Sequence, residues 1–117
     1  MSRHYIVLPV ANNECQIHTL TSAAVVCGYD RLPNPHYFCN VSESLNCEHI
    51  DEPIWASILD PGLSAVTSAD GFDKKLASMG IALPLALKDE LRRDWSTGTV
   101  NREVYWRPDG TIERGEP

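Results

Sequence analysis

Val100-Asn101-Arg102-Glu103-Val104-Tyr105-Trp106-Arg107-Pro108-Asp109-Gly110-Thr111-Ile112-Glu113-Arg114 is the stretch that decides the fold. Val100, Arg102, Val104 and Trp106 alternate with Asn101, Glu103 and Tyr105, which is the period of a half-buried strand. Arg107-Pro108-Asp109-Gly110 is a tight-turn sequence, and Thr111 to Arg114 returns as the partner strand. Successive side chains of a strand point to opposite faces, so one of Tyr105 and Trp106 looks outward.

Upstream, Pro84 opens the longest helix, in which Leu87, Leu91 and Trp95 form an i, i+4, i+8 face before Ser96-Thr97-Gly98 stops it. Asp70-Gly71-Phe72-Asp73 caps a shorter helix with the stripe Phe72, Leu76, Met79, ended by Gly80. Asp51-Glu52-Pro53 predicts a further helix, with Ile54, Trp55, Ile58 and Leu59 on one face and a stop at Asp60-Pro61-Gly62. At the N-terminus, Tyr5 to Val10 reads as a strand and Cys15 to Leu20 as its partner, a hairpin across Asn12-Asn13. Thr21-Ser22 predicts a cap for a short helix over Ala23 to Cys27 closed by Gly28, although Val25 and Val26 suit a third strand nearly as well. Pro33 and Pro35 make residues 29 to 41 irregular, and Asn40-Val41-Ser42-Glu43 has capping-box spacing. Strands, then helices, then a hairpin predict an α+β fold in a single compact domain, residues 1–117. Its antiparallel sheet includes an N-terminal and a C-terminal hairpin, with two to four short helices packed on one face.

Charge is unevenly spread. Between Arg31 and Lys74 there is no lysine or arginine, while Glu43, Glu48, Asp51, Glu52, Asp60, Asp70 and Asp73 all fall there. Up to Asp73 the chain has nine acids against two bases; from Lys74 onward it has eight bases against seven acids. A net charge of −6 argues against a general nucleic-acid binder, which needs basic groups to displace counterions. No run approaches the roughly 18 apolar residues of a membrane span. The early apolar run is too short for a signal peptide. These features predict a cytoplasmic protein with reduced thiols.

All four cysteines and all four histidines lie within residues 4 to 49. Cys15, His18, Cys39, Cys47 and His49 could supply sulfur and imidazole ligands for zinc, in a chain otherwise expected to hold no cofactor. The spacing matches no paired CxxC pattern, however, and Cys15 and His18 would point to opposite faces of a strand. Cys39 or Cys27, with Asn40 and His36 or His49 near in sequence, offers the residue types of a cysteine nucleophile. The helices over 70–79 and 84–95 have the outline of a helix-turn-helix, yet Asp89, Glu90 and Asp94 share the second helix with Lys88, Arg92 and Arg93. No phosphate loop, metalloprotease helix or nucleophile elbow is present.

The sequence is therefore read first as a small, acidic, non-enzymatic protein-binding protein. Its expected partner is a protein with a basic surface. Glu43, Glu48, Asp51, Glu52 and Asp60 would supply charge, and Tyr37, Phe38 and Trp106 the aromatic anchors. In size and charge the chain resembles small acidic inhibitors of phage origin, including anti-CRISPR-like proteins that block nucleic-acid-guided nucleases; the likeness is of class, not of motif. A zinc-binding Cys/His module and a small cysteine-dependent enzyme are the alternatives.

Overall fold

β-Branched and small apolar residues at the start of the chain form the centre of one mixed sheet. The computed structural model describes residues 1–10, 22–31, 34–42, 55–98 and 101–116. The elements run β1 (Ser2–Pro9), β2 (Ser22–Asp30), β3 (His36–Ser42), β4 (Trp55–Ala56), a 3₁₀ turn (Ser57–Leu59), α1 (Asp73–Ser78), α2 (Leu85–Thr97), β5 (Arg102–Trp106) and β6 (Ile112–Glu116). Strand order is β4-β3-β2-β1-β5-β6. All neighbours are antiparallel except β1 and β5, which run parallel with Ser2 opposite Arg102 and Tyr5 opposite Tyr105. The expectation of an entirely antiparallel sheet is thereby corrected. The parallel pair exists because α2 carries the chain back across the sheet before β5 begins, as a crossover between parallel strands requires.

The first strand alternates cleanly. Ser2, His4, Ile6 and Leu8 face the core, and Arg3, Tyr5 and Val7 face the other way. Residues 23 to 27, expected as a helix, lie instead in β2. Ala23, Val25 and Cys27 fill the core face, and Ala24 and Val26 on the opposite face are apolar as well, so the polar alternation of this strand is lost. Asn40-Val41-Ser42 belongs to β3 and starts no helical turn. Residues 15–20 and the expected helix start at 51–53 lie outside the described residues, but the expected pairing of the first strand with 15–20 is corrected: β1 pairs with β2 on one edge and β5 on the other.

Residues 55 to 59 also differ from expectation, forming a two-residue strand and a 3₁₀ turn where a helical face was read. The edge of β3 requires it. The Cys39 amide donates to Ser57 Oγ at 2.9 Å, and the Trp55 indole donates to Asp60 Oδ2 at 3.2 Å. Ile58 and Leu59 consequently stand in solvent, 74% and 79% exposed.

One sheet face is packed by the helices. Phe72, Leu76, Leu87 and Leu91 meet Ile6, Val25, Tyr37, Val41 and Val104 in a single core. The stripes Phe72/Leu76/Met79 and Leu87/Leu91 are buried as the periodicity required, and Trp95 packs on the rings of Tyr29 and Tyr37. α2 ends at Gly98 in the left-handed conformation (φ 65°), whose amide closes on Asp94 and Trp95 carbonyls. The β5–β6 turn uses its sequence directly: the Gly110 amide (φ 90°) donates to the Arg107 carbonyl, and Asp109 Oδ1 accepts from the Thr111 amide and hydroxyl.

Gly28 is required by close approach. A Cβ at this position would lie 1.9 Å from the Ser2 carbonyl oxygen and 2.9 Å from the end of the Phe38 ring. Gly28→Ala is therefore expected to lower stability by about 3 kcal/mol in urea denaturation, the upper range of overpacking costs. Gly62→Ala, whose added atom meets nothing closer than 3.7 Å, serves as the near-neutral comparison.

Candidate functional site

Two features stand out from the frame: a sealed polar network under the sheet and an uncovered surface above it. The network begins with polar residues at inward positions of β1, which must find partners when buried. His4 Nε2 lies 2.7 Å from Asp94 Oδ2, with both side chains almost completely buried. The Trp106 indole, which can only donate, is 3.0 Å from His4 Nδ1. Nδ1 must then carry the lone pair, which places the ring proton on Nε2, where it donates to the carboxylate. Arg102 donates from Nη1 to Asp94 Oδ1 at 2.7 Å and from Nη2 to Glu90. Ser2 donates to Asp94 and accepts from the Tyr29 amide. Burial by itself would raise the Asp94 carboxyl; the hydrogen bonds from His4, Ser2 and Arg102 outweigh it and hold the group below its ordinary value. A His–Asp pair of this kind can polarise a nucleophile, but this one faces no solvent.

The thiols are equally enclosed. Burial raises Cys27 to about 12 and raises Cys39 well above its ordinary value, so both are protonated at neutral pH. His36 and Cys39, paired in sequence as ligands or as base and nucleophile, point to opposite faces of β3. Among the described residues, no group of three Cys, His, Asp or Glu side chains could hold a metal ion. Cys15, His18, Cys47 and His49 lie outside the described residues.

Above the sheet, Tyr5 and Tyr105 stack with centroids 4.6 Å apart and planes within 11°. The Arg114 guanidinium lies over the ring of Tyr105, 4.2 Å from its centroid. Across β1 and β2 a groove of about 500 Å³ runs beside this stack, lined by Arg3, Tyr5, Val26, Phe38, Asn40 and Ile58 among others. Phe38 thus lies where an aromatic anchor was expected. Tyr37 and Trp106 do not: they are 3% and 5% exposed, held in the core by bonds to the Leu91 carbonyl and His4. Of the pair Tyr105 and Trp106, one of which was expected to look outward, it is Tyr105 that does; Tyr5 beside it was not singled out, although alternation in β1 was the signal.

Folding redistributes the charges. Lys88 and Arg92 turn back onto Asp70, and Lys88 also onto Asp73, so two acids of the base-free window are compensated from α2. Burial would lower the Lys88 ammonium, but Asp73 and Asp70 outweigh it and raise it. Arg92 also pairs with Asp89, and Arg93 with Glu90 at 3.9 Å. The three basic side chains of α2, Lys88, Arg92 and Arg93, are thus engaged by carboxylates, while Lys75 of α1 lies over the Trp55 ring. Asp60, expected at the docking surface, accepts from the Trp55 indole and the Gly62 amide. Residues 11–21 and 43–54 hold Glu14, Glu43, Glu48, Asp51 and Glu52 with no base; the other eleven acids stand against all ten bases. The residues flanking these two connections, Pro9 with Ser22 and Ser42 with Trp55, lie at the same end of the sheet by strand register.

Compared with models of known families, with curated proteins and with solved structures, the chain finds no match.

The Asp94 carboxyl is depressed by folding, so its contribution is present above the ordinary carboxylate range and is lost as pH falls through the folded value. Asp94→Asn is expected to cost about 3 kcal/mol at neutral pH, as for one partner removed from a buried ion pair. The substitution should also flatten the decline in stability below about pH 4, measured by urea denaturation across pH 2–7.

Proposed function

We propose that this protein is a non-enzymatic protein-binding module that engages a basic surface of its partner. The observation that carries the reading is the placement of charge. Five acids without a base belong to two connections anchored side by side at one end of the sheet, beside the groove that contains Phe38 and Tyr5. Charge at the rim steers and orients a partner, and half-buried aromatic residues at the centre supply affinity. Basic surfaces are frequently nucleic-acid sites. An inhibitor that covers such a site by mimicking its charge is the specific form of the proposal.

Two further observations support binding over catalysis. The acid–base pair His4–Asp94 is sealed in the core. The Cys27 and Cys39 thiols are buried and protonated. Against direct nucleic-acid binding, Lys88, Arg92, Arg93 and Arg102 are each taken up by carboxylates of the same chain.

The test starts from partners captured by the full chain and identified by mass spectrometry, then remeasured with purified protein. Affinity should fall at least roughly tenfold when salt rises from about 50 to about 300 mM. Joint neutralisation by Glu43→Gln, Glu48→Gln, Asp51→Asn and Glu52→Gln should weaken binding by a similar factor, mainly through the association rate. Phe38→Ala should act mainly on dissociation. A partner bound equally well at both salt concentrations and by the neutralised variant overturns the proposal, as does tighter binding to a single-stranded oligonucleotide than to any captured protein.

A further inference from the structure

Cys27 and Cys39 face each other directly across β2 and β3. Both side chains are fully buried in the same core cluster, on the same side of the sheet, and both thiols are free. The direction of their backbone groups follows from neighbouring bonds. The Cys39 amide donates away from β2, to Ser57 Oγ, and the Tyr37 amide two residues earlier also points away, to the Val66 carbonyl. On β2, the Tyr29 amide points toward β1, to Ser2 Oγ. Cys27 has the same phase as Tyr29 and so also directs its amide toward β1. The two cysteines therefore form a non-hydrogen-bonded antiparallel pair, the arrangement in which opposing side chains approach most closely, with Cα atoms about 4.5 Å apart. That spacing falls inside the range of roughly 4.4–6.8 Å that a disulfide spans without backbone movement.

We infer that Cys27 and Cys39 are a cross-strand disulfide site whose closure locks β2 to β3. The inference is independent of the proposed partner. With a disulfide oxidant of the oxidised-glutathione class, one cysteine thiolate attacks the oxidant. The oxidant's S–S bond breaks, a mixed disulfide forms and one reduced thiol leaves. The second thiolate then attacks the protein sulfur of that mixed disulfide. The Cys27–Cys39 bond forms and a second reduced thiol leaves, the two protein protons passing to the two released thiolates. Two protein thiols are oxidised and one small disulfide is reduced. Since burial keeps both groups protonated and out of solvent, the native protein reacts slowly and the bridge closes mainly during folding or opening of the sheet. The locked strands are those whose opposite faces carry Val26 and Phe38, which line the groove.

The experiment uses the full chain with Cys15→Ser and Cys47→Ser, leaving Cys27 and Cys39 as the only thiols. After denaturation and refolding with oxidised and reduced glutathione, non-reducing peptide mapping should show Cys27 joined to Cys39, with both free thiols lost. The oxidised form should melt roughly 10 °C above the same variant kept reduced, as expected for a closed loop of this length. Cys39→Ala added to that variant should abolish both effects. Retention of two free thiols throughout, or oxidised protein that melts below the reduced form, overturns the inference. Should the double variant fail to refold, the same mapping on the unsubstituted chain decides between a Cys27–Cys39 bridge and bridges confined to Cys15 and Cys47.

Discussion

A buried carboxylate organises this molecule. Asp94 stands on α2 and takes hydrogen bonds from His4 on β1 and Arg102 on β5, while His4 accepts in turn from Trp106. One anion thereby fixes the helix on the sheet and joins the first strand to the fifth. A charge in the interior survives only when its lone pairs are used, and here two strands converge on the helix to use them. Among the described residues no buried side-chain nitrogen or oxygen lacks a partner. The arrangement also specifies orientation: α2 rotated by one residue would bury a different side chain and leave Arg102 and His4 without their acceptor.

With the helices committed to one side, the sheet has an asymmetric division of labour. Its lower face is occupied by packing and by groups whose chemistry is quenched. Its upper face displays stacked tyrosines, Phe38 and exposed Ile58, and the residues that flank the two most acidic connections, Pro9 with Ser22 and Ser42 with Trp55, lie at one end of the sheet. This separation encloses His4, Cys27, Cys39 and Asp94 in the core, while Tyr5 and Phe38 line the accessible groove together with Arg3, Asp30 and His36.

The sequence was legible where a single period dominated. The hairpin of β5 and β6 is written in alternation and in Pro108-Asp109-Gly110, and α2 in Leu87, Leu91 and Trp95. It was misleading where tertiary demands overrode local pattern. Ala23 to Cys27 is apolar on both faces because β2 is central, which erases the alternation that marks a strand. Trp55, Ile58 and Leu59 have helical spacing, yet the open edge of β3 draws Ser57 and Trp55 into other bonds. For the candidate site, alternation placed one of Tyr105 and Trp106 outside without saying which. The network around Asp94 had only a faint trace, the polar residues Ser2 and His4 at inward positions of an otherwise apolar strand. Partners 90 and 102 residues distant leave no local signal.

The parallel pairing of β1 with β5 also governs the order of assembly. Residues 2–5 cannot acquire this neighbour until residues 102–105 exist, so the central strand spends most of synthesis with one edge bare. The antiparallel pairs β1–β2 and β2–β3 can close earlier, but their union remains half a sheet. Contacts of such long sequence separation slow folding and prolong the exposure of an unpaired apolar edge. Nascent chains halted before Arg102 would present the unpaired backbone of Ser2 to Tyr5 on that edge, open to pairing with another strand.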